Sequence, residues 1–395
     1  GTVLYHTGNT LSHARISPDG LRVALFDHPS FGDDRGSLVV IAPDGRRDVL
    51  SEGWASVEGL AWSPGGGEVW FTGARAGLDA TLHAVSLAGK AREVVRAPGR
   101  LVLHDMAPDG RAILDRSSVR FELKGRFPDG EEERDLSWLD LSLVTDISSD
   151  GRQVVFSESG EGGGPGYAVF IRATDGAPPV RLGEGMASTL SPDGSWVAAM
   201  TVSGPPRILL LPTGAGETRV LATPGLSGYT GVGWTPDSRT VVFAARGPSG
   251  VLRLYTQPVD GRPAVERAAI PLRGSRRFPV DPGGDRVAVS TAEGGLAFVS
   301  LRDGTAAAVP GGTAADRALT WSPDGGALYV RRGTGAVIER LDVRTGARAA
   351  AAEMRTGDPT GAIGPLSPVI TPDGRHYAFV YARRLSDLYV VDGLR

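Results

Sequence analysis

The chain has no cysteine among its 395 residues. That excludes disulfides, thiolate metal sites and thiol nucleophiles together. It also lacks an excess of either charge: 42 Lys and Arg face 45 Asp and Glu, for a net charge of −3. The basic footprint of a nucleic-acid binder is therefore missing, and no nucleic-acid partner is expected. No apolar run approaches the ~20 residues that span a bilayer, so this segment is not expected to insert into a membrane. The opening Gly1-Thr2-Val3-Leu4-Tyr5 has neither the basic nor the apolar region of a signal peptide. A start at Gly rather than Met implies a processed or trimmed chain.

Histidine is scarce as well. His6, His13, His28, His83, His104 and His376 include no pair at the i, i+2 or i, i+4 spacing of a zinc site, and no metal or other cofactor is expected. Asp33-Asp34 has the oxygen content of a calcium loop without the alternating spacing of one. There is no Gly-x-Ser-x-Gly elbow. Its nearest imitation, Ser227 in Gly225-Leu226-Ser227-Gly228, reads as part of an inter-blade loop. The glycine-rich 160–166 lacks the Lys-Ser/Thr of a phosphate loop and reads as a hairpin tip, and Glu131-Glu132-Glu133 reads as a solvated edge.

Turn residues are abundant: 56 Gly and 28 Pro make up about a fifth of the chain. They recur in a phrase, an apolar residue followed by Ser/Thr-Pro-Asp-Gly or a near variant. The nine copies place their third residue at Pro18, Pro64, Pro108, Ser149, Pro192, Pro236, Pro282, Pro323 and Pro372. The steps between them are 46, 44, 41, 43, 44, 46, 41 and 49 residues. A β-rich repeat of that length is the mark of a β-propeller. Within the phrase, Pro presets one backbone angle, Asp accepts nearby N–H groups and Gly takes the left-handed position. The leading residue is always apolar: Ile16, Trp62, Met106, Ile147, Leu190, Trp234, Val280, Trp321 or Ile370. Three of the seven tryptophans fall in this column, which reads as packing between blades.

The stretch 229–270 serves as the model blade, with strands expected at 231–234, 240–244, 252–257 and 264–267. The expected fold is all-β, a single closed β-propeller over 1–395 with nine four-stranded blades. Eight would follow if the stretch 101–138 is degenerate, since Phe121–Lys124 and Glu131–Arg134 depart from the pattern. The last repeat lacks an outer strand, so Thr2–His6 is expected to pair with it and close the ring, which would remove two exposed strand edges.

In such a ring each inner strand starts near the central channel. The residues just upstream of the phrases therefore mark the candidate ligand site: His13, Arg15, Glu58, His104, Asp105, Asp146, Arg276, Arg277 and Arg317. His104, Asp105 and Asp146 would form an acidic side, with Arg276, Arg277 and Arg317 opposite. Such a channel mouth would hold a peptide or a small anionic ligand, or would simply be solvated residues offsetting one another's charge. No catalytic residue is assigned.

The phrase, the Leu388-Tyr389-Val390-Val391 strand and Asp392-Gly393 resemble the TolB-like propeller repeat across essentially the whole chain. Pro372–Phe379 and Arg383–Leu394 also resemble the tail of bacterial eukaryotic-like serine/threonine protein kinases. That resemblance implies an extracytoplasmic, non-catalytic sensor that binds a protein or small ligand in its channel or on a ring face. No nucleotide loop, His-Arg-Asp or Asp-Phe-Gly is present, so kinase activity would belong to a parent protein. The alternatives are a TolB-like periplasmic docking scaffold and a channel-sited glycan lyase or hydrolase.

Overall fold

The structure is a computed structural model that describes every residue except 2, 30–32, 78, 140, 161–162, 203–204, 269, 357–358 and 395. The described residues form antiparallel sheets and no helix, so no helix is long and apolar enough to cross a membrane. There are eight sheets among them, six with four strands, one with three and one with five. The model blade follows its sequence reading closely, with strands Val232–Trp234, Thr240–Arg246, Leu252–Pro258 and Val265–Glu266.

The phrases behave as turn chemistry predicts. In the first, Gly20 N–H donates to Ser17 O and Arg22 N–H to Ser17 Oγ, while Ser17 Oγ–H and Leu21 N–H donate to Asp19. Gly20 sits at φ 73°, where a side chain would be strained. The hydroxyl holds the phrase carboxyl below its ordinary value of 3.8 in Asp19, Asp150, Asp237 and Asp324. At Asp109, whose phrase has Ala107 in place of Ser, the backbone N–H of Arg111 does so first. A carboxyl with a depressed folded pKa contributes stability above its unfolded pKa and loses it as pH falls through the folded value. Urea midpoints are therefore expected to be flat above about pH 5 and to fall progressively below about pH 4. A midpoint unchanged down to about pH 2 would contradict this account of the turns.

The tryptophan column packs and also stitches. Trp62, Trp234 and Trp321 are buried, and each Nε1–H donates to a carbonyl of the preceding inner segment: Arg15 O at 3.0 Å, Thr189 O at 3.3 Å and Pro279 O at 3.0 Å. Burial supplies the apolar gain, and each hydrogen bond ties one inner strand to the segment before it.

The chain divides into two compact units, 1–120 with 384–395, and 121–383. In the second, six sheets follow one another, led by the inner segments Leu143–Ile147, Met186–Leu190, Val232–Trp234, 278–281, Asp316–Trp321 and Ala362–Ile370. Apolar clusters join each to the next, and one around Phe127, Val144, Phe156 and Val380 joins the last back to the first. The cycle of packing in this unit thus has six sheets. The expected nine-bladed ring does not describe it.

The closing strand is also not the expected one. The last sheet runs Ala362–Ile370, Tyr377–Val391, Ala112–Arg126, Arg134–Asp135 in spatial order, so its outer strands come from 121–135. Tyr381 O–H donates to Glu122, Tyr377 O–H to Glu133 Oε1 at 2.8 Å, and Arg126 to Arg375 O at 2.8 Å. The ladder position is therefore filled, and the stretch that looked degenerate is the one that fills it. Glu133 is a partner in that sheet, although the acidic run reads as solvated. Of the expected closing segment, Thr2 lies outside the described residues. Val3–His6 forms no strand, and Tyr5 packs instead on Leu25, Val39 and Ile41.

The first unit holds two whole sheets and, as a third, its share of the five-stranded sheet already described. Thr10–Ile16 opens the first and Ser56–Trp62 the second. The third joins Arg100–Met106 to the first half of Ala112–Arg126 and the second half of Tyr377–Val391. Two apolar clusters bind them, around Trp54 with Phe71 and around Trp70 with Leu103. Ile16 occupies the phrase column but is 69% exposed, because no sheet precedes it in this unit.

Candidate binding surfaces

A register irregularity recurs in the inner strands just upstream of the phrases. It falls between Ser12 and Arg15, Glu58 and Leu60, Leu103 and Asp105, Val144 and Asp146, Ala187 and Thr189, Ala318 and Thr320, and Leu366 and Val369. A bulge re-aims the side chains beside it, which is why such positions often carry binding groups. Most of the residues singled out from sequence sit at or beside these bulges. His13 is itself left-handed, at φ 54°.

In the second unit, Asp146 and Arg277 meet directly at 3.0 Å although 131 residues separate them. Their side chains are 14% and 13% exposed. Asp146 also accepts Ile147 N–H at 3.0 Å and Leu190 N–H at 2.8 Å. Of the acidic and basic residues expected to face each other, one of each, Asp146 and Arg277, thus meets in an ion pair. Nearby, Val232 N–H donates to Ser188 Oγ at 2.9 Å, and Thr189 Oγ1–H donates to Val232 O at 2.8 Å. Gly233 brings its strand so close to the next that a Cβ there would lie 2.1 Å from Phe278 O. Arg276 is exposed. Arg317 donates to the carbonyls of Ala314 and Asp316, and its pKa is pushed down by burial first and then by the charge of Arg273.

In the first unit the predicted residues fall into separate groups. Ser12 Oγ lies 2.9 Å from His13 Nδ1 and 2.7 Å from His28 Nε2. His28 Nδ1 is 2.9 Å from Arg35 O, which can only accept, so that nitrogen carries a proton. Burial holds the His13 pKa down, with Glu58 opposing. Glu58 is paired with Arg100, which also reaches Asp34 at 3.2 Å. His104 Nε2 and Arg384 share Asp115, at 3.2 and 3.4 Å. Asp105 caps Met106 N–H, and Arg15 is exposed, donating to Ala14 O. Ser12, His28, Arg100 and Asp115 were not legible as site residues, because each joins through a tertiary contact. The calcium-loop reading is not supported: Asp33 accepts Arg35 N–H, Asp34 pairs with Arg100, and Phe31 and Gly32 lie outside the described residues.

A different surface stands out in the same unit. Residues 384–391 pair with Ala112–Arg126 on one edge, and among the described residues no strand lies on the other. Leu385, Leu388 and Val390 are 53%, 69% and 63% exposed. Arg116 steadies the strand through Asp387 at 3.3 Å and lies 5.9 Å from the Tyr389 ring centroid.

The sheets define the chain as an all-β protein of propeller type. No protein-family model matches it, and no curated protein does. Among solved structures, a TolB of Agrobacterium tumefaciens is 18% identical over 68% of this chain and 99% of its own, with a TM-score of 0.49. TolB from Acinetobacter baumannii is 14% identical over 73% of this chain and 65% of its own, at 0.36. A chain of a nidogen/laminin complex is 13% identical over 58% and 92%, at 0.46. Likenesses of this level carry no argument about function.

Proposed function

We propose that this chain is a non-catalytic docking module that takes an extended segment of a partner protein as an added strand along 384–391. The observation behind this reading is the open edge beside Leu385, Leu388 and Val390. An unpaired row of N–H and C=O groups flanked by exposed apolar side chains is a template for another strand. The same strand shows what fits it: over Tyr377–Arg383 that edge is filled by the antiparallel Ala362–Ile370. The rival reading, an enzyme of the lyase or hydrolase class, meets acids already committed. Asp146 is held by Arg277, Glu58 by Arg100 and Asp115 by His104 and Arg384.

Selection of a random peptide library on the intact chain tests this. Enriched peptides are expected to alternate apolar residues, to slow amide exchange at 384–391, and to bind at least about tenfold more weakly to Leu388→Lys, a loss of about 1.4 kcal/mol. Protection elsewhere, hydrolysis of the peptides or dimerisation through this strand would each overturn the proposal. The narrower reading, an extracytoplasmic sensor of a receptor kinase, is supported by the resemblance of the C-terminal residues. A reading frame encoding a kinase domain and a membrane segment ahead of Gly1 would support it further. A TolB-like scaffold is the broader form of the same docking role.

A further inference from the structure

Ser12 lies in the inner strand Thr10–Ile16, and its hydroxyl is held between two imidazoles. Its Oγ is 2.7 Å from His28 Nε2 and 2.9 Å from His13 Nδ1. A hydroxyl has a single hydrogen, so it can donate to only one ring and the other must donate to it. The far side of His28 decides which. Its Nδ1 lies 2.9 Å from Arg35 O and keeps a proton, so in the neutral ring Nε2 is a lone pair facing Ser12. Ser12 Oγ–H then donates to His28, and His13 Nδ1–H donates to Ser12 Oγ.

This is the order a reactive serine requires: a nucleophile, a base within hydrogen-bond reach, and a third group that orients the base. Packing holds the order in place. His28 is buried, and both rings meet the fully buried Phe26 edge-on, His13 at 5.6 Å and His28 at 6.2 Å between centroids. His13 sits in left-handed backbone inside the bulge between Ser12 and Arg15. In a regular strand the next residue along would project from the opposite face, so this strained turn is what brings its ring to the same oxygen. Ser12 itself is half-buried in a strand that is otherwise exposed, so a reagent can reach the hydroxyl.

We propose that Ser12 is a modification site, a nucleophilic serine that takes an acyl or phosphonyl group from an electrophile with a good leaving group. Oγ bonds to the carbonyl carbon or the phosphorus, the leaving group departs with its electron pair, and the Oγ proton passes to His28 Nε2. No release of the adduct is required, so the site is compatible with a non-catalytic docking module and does not rest on the strand 384–391.

Treatment of the intact chain with a fluorophosphonate, read by mass spectrometry of its peptides, tests this. A single phosphonyl group on Ser12 is expected, with fluoride released. It should form at least about 100-fold faster than on the same chain unfolded in urea, the low end of what a positioned base contributes. Ser12→Ala is expected to lose the adduct, and His28→Gln to slow it at least about 100-fold. If His28→Gln fails to fold, the folded and urea-unfolded rates of the unaltered chain still decide. No adduct on Ser12, labelling spread over other hydroxyls, a rate unchanged by urea, or full reactivity in a folded His28→Gln variant would overturn the proposal.

Discussion

Asp146→Ala is expected to destabilise the second unit by about 3–5 kcal/mol, the usual consequence of leaving one member of a buried ion pair alone. Three contacts are lost at once: the 3.0 Å pair with Arg277 and the caps on Ile147 and Leu190 N–H. The Arg277 guanidinium would be left buried and uncompensated, and its Nη2 already lacks a partner. Adding Arg277→Met should recover much of the loss, because the desolvated charge goes with the side chain. Urea unfolding of both singles and the double gives the coupling directly. A cost below about 1 kcal/mol for Asp146→Ala would mean that the pair behaves as a solvated surface contact. These two residues would then be available as ligand groups after all.

Gly233→Ala is expected to cost about 3 kcal/mol, the upper end of overpacking effects. The added Cβ would sit 2.1 Å from Phe278 O and 3.0 Å from Phe278 C, and both atoms belong to backbone that cannot rotate away. Relief requires the inner strand of one sheet to move off the next, which would also pull Val232 from Ser188 and Thr189. Gly214→Ala is the matched control. Nothing lies within 4 Å of a Cβ there, so its effect should stay within about 0.5 kcal/mol. Equal melting temperatures for the two variants would show that the inner strands are less tightly apposed than their geometry indicates.

The repeat, the strands of 229–270 and the buried tryptophans were legible because each depends on residues a few positions apart. Turn angles, alternation and an apolar column all carry local signals. The closing strand carried none. Nothing in 121–135 announces that Glu122 and Glu133 will bond Tyr381 and Tyr377, about 250 residues later in the chain. The candidate site was legible in part: Asp146 and Arg277 stood out from their place beside the repeated phrase, and their pairing did not. Ser12 and His28 gave no signal at all, since a lone polar residue in a strand looks the same whether its neighbours are water or protein.

By itself, then, the sequence determined the all-β class, the propeller-type repeat and the packing role of the phrase column. Those properties arise from short-range backbone geometry and side-chain alternation. Tertiary structure alone decided that six sheets close a cycle of packing in one unit, while the other holds two sheets and a share of the five-stranded one. It also decided that 384–391 keeps an open edge and that Asp146 and Arg277 meet as an ion pair. These outcomes turn on which distant edges meet and which charges are desolvated together, and neither is encoded in the spacing of any single repeat.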